Sequence, residues 1–358
     1  MKNNLNIFVD PKTKKTLALN VRKTADDEII SGTLRSGTKT YPIVNGIPRF
    51  VEKSLYDGSL ILGTERQTAK SFGTKWREQR NQHIGDTLQD IKDWKEQFMA
   101  VLGCSSEPRL KNLFKKAKRT LNAGCGVGWS EYLFNYNPET ERHCIDISLS
   151  VEVAYRKTIR LSNVIVSQAS IFNLPYRDNT FDIIYSLGVI HHTPYPQKAF
   201  KALVNKLTPG GLLGVYVYNK KLFLREIADM EIRKYTALMS YEKCLEFSRQ
   251  MTRLGKSLKQ IRESVIIDED IKLLGIKKGS YNLQKFVYDH FIKCWYNPKQ
   301  DMDYADLVNQ DWYHPYYASH HTKEEVAAWF KKSGMKNIKF IQPKGWEHSG
   351  YFVSGRKA

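Results

Sequence analysis

Between residues 118 and 218 short apolar runs alternate with helical stretches: RTLNAG, ERHCID, NVIVSQ, FDIIYS and LLGVYVY, each separated by turn or helix signals. Strands buried on both faces read as such runs, so the alternation predicts a parallel sheet with crossover helices. Further on, Thr322-Lys-Glu-Glu325 forms a capping box before Val326, Ala327, Trp329 and Phe330 at helical spacing, and Gly334 follows as a stop. KNIKFI and YFVSG then read as two more strands. The sheet therefore resumes after an insertion of roughly a hundred residues, where connections are usually under ~15.

The insertion, 219–321, opens with charged, apolar-periodic stretches (Leu222 to Met239, Tyr241 to Ile261) that predict helices, and ends in an aromatic run. An excursion of this size predicts a lid or substrate cap. Upstream, Asp86-Thr-Leu-Gln89 is expected to cap a helix with Leu88, Ile91, Trp94 and Phe98 on one side. The expected organisation is a small β-rich module over 1–53, a helical lead-in over 54–117, a core over 118–218 and 322–358, and the helical, aromatic cap over 219–321.

Composition narrows the class. The 358 residues are 41% hydrophobic and 26% charged, with mean hydropathy −0.49. No apolar run approaches the ~20 residues that span a bilayer, and the length excludes a stapled miniprotein. Met1 is followed by Lys and Asn without the apolar centre of an export signal, which predicts a soluble, cytoplasmic protein. Five widely spaced cysteines without a C-x-x-C pair fit neither a disulfide framework nor a zinc knuckle, so reduced thiols and no metal are expected. The formal charge is +19, distributed as +10 over 1–120, +1 over 121–218, +7 over 219–300 and +1 over 301–358. This excess reads either as a surface that recruits nucleic acid or anionic substrates, or as a solvated lysine-rich surface.

The strongest chemical signal is LNAGCGVGW, residues 121–129, after one predicted strand and before a predicted helix. Gly124, Gly126 and Gly128 permit a tight turn and close approach of a ligand to the backbone. A nicotinamide fingerprint would want its third glycine where this chain has Trp129. Asp146 ends the next predicted strand, where a carboxylate either accepts from both hydroxyls of a ribose or caps the following helix. In the first role each charge-assisted bond contributes ~1.5–3 kcal/mol, and a nucleoside-containing cofactor follows.

With these elements in place, LNAGCGVGW, CIDIS, NLPYRDNTFDIIYSLGVIHHTPYPQKAF and LTPGG before LLGVYVYN together resemble the class I S-adenosylmethionine-dependent methyltransferases, over roughly 118–218 plus 322–358. The resemblance implies an α/β, Rossmann-like seven-stranded sheet whose last strand is antiparallel, with S-adenosyl-L-methionine over the carboxyl ends of the strands. It implies that Gly124 and Gly126 lie under the methionine portion, within a turn that also includes Asn122, Cys125 and Gly128. Asp146 and Ile147 would meet the ribose, Ser170 and Ile171 the adenine, and Leu187 the sulfonium. Two positions depart from the family: many relatives have an acidic residue in place of Asn122 and an aspartate in place of Ser170. In the same family the segment after the fourth strand faces the substrate, which nominates His192, ahead of His191, as a base for an acceptor hydroxyl. A histidine that only shapes the turn is the alternative for both.

Three further resemblances complete the picture. SFGTKWR, residues 71–77, resembles an element ahead of the core in methyltransferases of surface-polysaccharide and natural-product pathways, and YHPYYASHHTKEEVAAWF resembles the same enzymes. Phe72, Trp76 and Arg77 would then close over the cofactor, Arg77 reaching its carboxylate; packing is the alternative. The first module is similar to the small zinc-binding methyltransferase-activator domain, but Asp10-Pro11-Lys12-Thr13 stands where C-P-x-C is expected, so no zinc is predicted and burial of Ile43, Ile47 and Phe50 must hold it. The aromatics between Tyr281 and Tyr317 suit a pocket that stacks on a sugar, heterocycle or base, or simply pack the cap. The expected activity is methyl transfer to a small molecule, most readily a hydroxyl of a sugar, glycan precursor or natural product. The alternatives are an RNA (tRNA or rRNA) methyltransferase, with nucleic acid as partner, and a non-catalytic binding protein that kept the fold.

Overall fold

The computed structural model describes residues 4–26, 28–56, 64–77, 87–343, 346 and 349–358. The chain forms two compact units, one of residues 1–218 and 321–358, the other of 219–320.

The first unit opens with β1 (Ala18–Ala25), β2 (Glu28–Ser36), β3 (Lys39–Val44) and β4 (Ile47–Pro48), paired in that order as an antiparallel sheet. Three helices follow, α1 (Thr64–Arg77), α2 (Leu88–Val101) and α3 (Glu107–Lys116). The core then runs β5 (Arg119–Ala123), α4 (Trp129–Leu133), β6 (Glu141–Asp146), α5 (Val151–Thr158), β7 (Val164–Gln168), β8 (Phe181–Leu187), α6 (Pro196–Lys206) and β9 (Leu207–Tyr218). Sheet order is β12-β13-β9-β8-β5-β6-β7, completed after the second unit by β12 (Met335–Ile341) and β13 (Gly350–Lys357). β13 is antiparallel to both its neighbours, as the resemblance implies. Leu121, Ile145, Ile165, Ile184 and Val215 are buried in one continuous core. Thr322 and Glu325 exchange both capping hydrogen bonds at the start of the helix over Lys323–Lys332.

The N-terminal sheet does not stand apart from this core. Phe8, Leu34, Ile43 and Phe50 belong to the same apolar cluster as the central strands, and Ile47 packs with Cys144, Tyr155 and Val166. Arg49, 1% exposed, donates to Gln168 Oε1 at 2.9 Å and pairs with Glu152 at 3.4 Å, and its backbone bridges to Gln168 at the end of β7. Asp10 closes the turn after it: its carboxylate accepts from Lys12 N–H (2.9 Å), Thr13 N–H (2.7 Å) and Tyr41 Oη (2.8 Å). Burial pushes Asp10 up, but the hydrogen bonds from Thr13, Tyr41 and Lys12 outweigh it and hold the carboxyl below its ordinary value.

Some local expectations need correction. α2 is capped by Thr87, whose hydroxyl accepts from Asp90 N–H, not by Asp86, which lies outside the described residues together with the Leu88 side chain. Thr87 stands one residue nearer the apolar face and can reach an N3 amide. LTPGG is already strand, since β9 begins at Leu207.

The second unit contains α7 (Phe223–Thr236), α8 (Tyr241–Gln260), a hairpin of β10 (Ser264–Ile267) and β11 (Gly279–Asn282), α9 (Leu283–His290) and α10 (Met302–Tyr313). The hairpin adds strands to the helical, aromatic cap expected over 219–321; they are four residues each, too short to show a period. Cys244, Ser248, Thr252 and Gly255 recur one turn apart along α8 and are buried. α10 fills this small-residue face with polar groups that satisfy it: Ser248 donates to Gln310 Oε1 at 2.9 Å, and Asn309 donates to Thr252 Oγ1 and the Trp295 carbonyl at 3.0 Å. The aromatics divide among several contacts rather than one pocket. Phe286 meets Tyr281, His290 and Phe291, Trp295 meets Tyr304, and Tyr313 meets Phe247.

Among the described residues no helix is long and apolar enough to cross a membrane.

Candidate cofactor site

The parallel strands β5, β6, β8 and β9 deliver their carboxyl ends to one side of the sheet, where open α/β sheets bind ligands. After β5 the chain turns through Gly124 (φ 85°), Gly126 (φ 53°) and Gly128 (φ 73°). The N–H groups of Gly124 and Cys125 both donate to the Ile145 carbonyl at 2.8 Å, tying the turn to β6. The three glycines do different work. A Cβ on Gly124 would lie 2.2 Å from Val189 Cγ2, and one on Gly128 3.2 Å from Ala154 Cβ, so both are packing positions. A Cβ on Gly126 would meet only Trp76, at 3.6 Å, and would occupy the space between the turn and the indole. The Cys125 side chain turns inward, buried beside Cys144, so only its backbone faces the crevice.

Asp146 ends β6 with both oxygens engaged: Oδ2 accepts from Gly126 N–H at 3.0 Å and Oδ1 from Ser148 N–H at 2.8 Å. Burial raises its pKa, and the bonds from Ser148 and Gly126 only partly offset that. Each carboxylate oxygen can accept a second donor, so the residue can hold the turn and still receive two hydroxyls. Ile147 is half-buried and its carbonyl accepts from Gln168. After β7, Ser170 caps a short turn by accepting from Phe172 N–H at 3.3 Å, and Ile171 is buried beside it.

Leu187, half-buried, ends β8, followed by Gly188 (φ 72°) and the turn that carries both histidines. His191 is completely buried and its ring lies 3.9 Å from that of Tyr218, tilted by 30°. His192 keeps 7% exposure and packs edge-on to Phe72 at 5.0 Å. Tyr218 went unnoticed in the sequence. Its signal was its place at the end of β9, where the chain leaves the sheet.

α1 crosses the ends of β5, β6 and β8. Phe72 lies against His192 after β8, Gly73 approaches Ser148 and Leu149 after β6, and Trp76 covers Gly126 after β5. At Gly73 a Cβ would stand 3.4 Å from the Leu149 backbone nitrogen, an ordinary contact, so the helix passes close over the turn after β6. Two expected ligands face elsewhere. Arg77 is exposed and directed at Glu152, Nε to Oε2 3.8 Å. Asn122 points beneath the turn, donating to Ser130 Oγ at 3.0 Å and Glu131 Oε2 at 3.1 Å. Glu131 is buried with Arg142 at 3.4 Å and receives the Tyr185 hydroxyl. Asn122 thus serves a buried carboxylate of α4 rather than the crevice.

The chemistry of this crevice fits an adenosyl cofactor: an uncrowded glycine cradle at 126, a carboxylate with spare acceptor capacity and an aromatic roof. Residues 121–215 match the family model described as a methyltransferase domain. Over 121 residues the chain is 36% identical to an uncharacterized protein of Synechococcus sp., a stretch that covers 32% of this chain and 28% of that one. It is 29% identical over 179 residues to the probable tRNA methyltransferase 9B of Bos taurus, covering 49% and 36%. Among solved structures it is 12% identical to the N-methyltransferase NodS from Bradyrhizobium japonicum in complex with S-adenosyl-L-homocysteine, covering 81% of this chain and 98% of that one with a TM-score of 0.42. The chain spans about a third of the length of the curated relatives it matches. The segment 121–215 thus matches a methyltransferase domain, and it lies within a seven-stranded, Rossmann-like α/β sheet.

Proposed function

We propose that the chain transfers a methyl group to a small-molecule acceptor, a hydroxyl of a sugar, glycan precursor or natural product. The observation that carries this reading is the convergence of Phe72, Gly73 and Trp76 from one helix on His192, Ser148 and Gly126. S-adenosyl-L-methionine, when bound, supplies a methyl on a good leaving group, so the protein's main contribution is alignment. In this reading Asp146 accepts from the ribose hydroxyls and Gly126 lets the cofactor approach the backbone. Ser170 and Ile171 flank the adenine, Leu187 lies beneath the sulfonium, and Trp76 closes over the cradle. His192 takes the proton of the acceptor hydroxyl as the oxygen attacks, a contribution of ~10²–10⁴ in rate. His191, buried against Tyr218, holds the turn that aims it.

The test is calorimetric binding of S-adenosyl-L-homocysteine, combined with release of that product when sugar and natural-product acceptors are supplied. Asp146→Ala should abolish binding in this assay. A wild-type protein that binds no cofactor would remove the reading.

A second reading, RNA methylation, is supported by the +19 charge, by the N-terminal module similar to the activator domain, and by the likeness to a tRNA methyltransferase. It predicts affinity for tRNA that falls steeply between 50 and 200 mM salt, as bound phosphates release counterions. No tRNA binding at low salt disposes of it.

A further inference from the structure

The second unit gathers three cations, two of them buried, beside two carboxylates. Arg225 on α7 is 1% exposed, Lys293 just after α9 is 6% exposed, and Lys221 precedes α7. All three cations surround one indole: Lys221 Nζ and Lys293 Nζ each lie 5.2 Å from the Trp312 ring centroid, and the Arg225 guanidinium carbon 5.3 Å. Arg225 and Lys293 also flank the Tyr288 ring, at 5.0 and 5.1 Å.

The countercharges are largely committed. Asp229 binds Arg225 Nε at 2.6 Å through Oδ2, and Glu226 accepts from His320 Nδ1 at 2.9 Å. Lys293 donates to the Tyr288 hydroxyl at 3.2 Å and, among the described residues, has no carboxylate within 4 Å. Arg225 places one terminal nitrogen on the Tyr288 carbonyl; its other one, Nη2, is buried with no partner among the described residues, as is Asp229 Oδ1. Burial pushes Lys221 down to about 7, with Arg225 and Lys293 adding repulsion. A desolvated cation cluster with an open guanidinium nitrogen is costly unless an anion completes it.

We propose that this cluster is a binding site for the phosphoryl group of a small molecule, held by Lys221, Lys293 and Arg225 Nη2 against Trp312 and Tyr288. A phosphate or pyrophosphate, carrying up to two charges or more on several oxygens, can meet three donors that approach from different elements; a single carboxylate would satisfy one of them. The burial of Arg225 and Lys293 favours a phosphorylated small molecule over a nucleic-acid backbone, because cations placed this deeply cannot track a strand. The unpaired Asp229 Oδ1 beside Arg225 suits a hydroxyl neighbouring the phosphate, as in a sugar phosphate. The anion site stands independently of the function proposed above.

The experiment uses the full chain. Pyrophosphate is titrated by calorimetry at pH 6.5 and low salt, and amine acetylation is read by peptide mass spectrometry at pH 7.5 with and without it. One pyrophosphate per chain is expected, with at least ten-fold protection of Lys221 and Lys293 and none of Lys259. Lys221→Met and Lys293→Met should each weaken binding at least ten-fold, while Lys293→Arg retains most of it and Lys259→Met changes nothing. Circular dichroism checks the fold of each variant. The proposal is overturned if pyrophosphate leaves both amines unprotected, if both methionine variants bind as the wild type does, or if acetate or a short RNA protects equally well. S-adenosyl-L-homocysteine is titrated in parallel: its failure to bind while pyrophosphate binds removes the methyltransferase reading alone, and the converse removes this site alone.

Discussion

Two neighbouring glycines separate a ligand cradle from a packing constraint. Alanine at either position must adopt a left-handed backbone, since φ is 85° at Gly124 and 53° at Gly126, at about 1–2 kcal/mol each. Beyond that shared strain the positions diverge. The new methyl at 124 would overlap Val189 Cγ2 at 2.2 Å, a contact the turn after β8 can relieve only by moving. At 126 it would rest 3.6 Å from the Trp76 indole, an ordinary contact, in the space assigned to the cofactor. Gly124→Ala should therefore lose about 2–5 kcal/mol in urea unfolding, the cost of an overpacked core plus strain, about 1–3 and 1–2 kcal/mol. Gly126→Ala should lose only the strain, yet bind S-adenosyl-L-homocysteine at least ten-fold more weakly by calorimetry, about 1.4 kcal/mol. Wild-type affinity in a folded Gly126→Ala protein would refute the cradle. Equal stability losses for the two variants would refute the packing argument.

His192→Ala should lower turnover by ~10²–10⁴ with unchanged affinity for S-adenosyl-L-homocysteine; an equal loss of affinity would mean that the imidazole only shapes the turn. Asp10→Ala removes a carboxylate that accepts three hydrogen bonds, and a loss of about 2–3 kcal/mol is expected in chemical denaturation, with unchanged values pointing to a solvated turn. The lowered pKa of Lys221 has a definite sign. Between about 7 and the ordinary 10.5 the unfolded chain holds a proton that the native state has released, so this residue makes stability rise with pH across that window and destabilises the fold below it. Lys221→Met should accordingly raise the melting temperature more at pH 6 than at pH 9.5 in scanning calorimetry. A difference independent of pH would show that the ammonium is not desolvated.

The strand runs, the glycine turn, Asp146 and the capping box at Thr322 were legible in the sequence because each is local. A run of five buried residues, a left-handed turn or an N-cap is specified within a few positions of itself. The same logic explains the misses at Asp86 and β10–β11: adjacent polar residues compete for one cap, and four-residue strands carry too few positions to show their period. What only the tertiary structure decided is which distant groups share a space. It set Trp76 over Gly126, turned Arg77 toward Glu152 and Asn122 toward Glu131, and gathered Lys221, Arg225 and Lys293 around Trp312. Hydrophobic periodicity fixes which face of an element is buried, but burial is non-directional. The partner that a buried polar or charged group meets is chosen by desolvation and hydrogen bonding between elements far apart in the chain, and no local pattern records it.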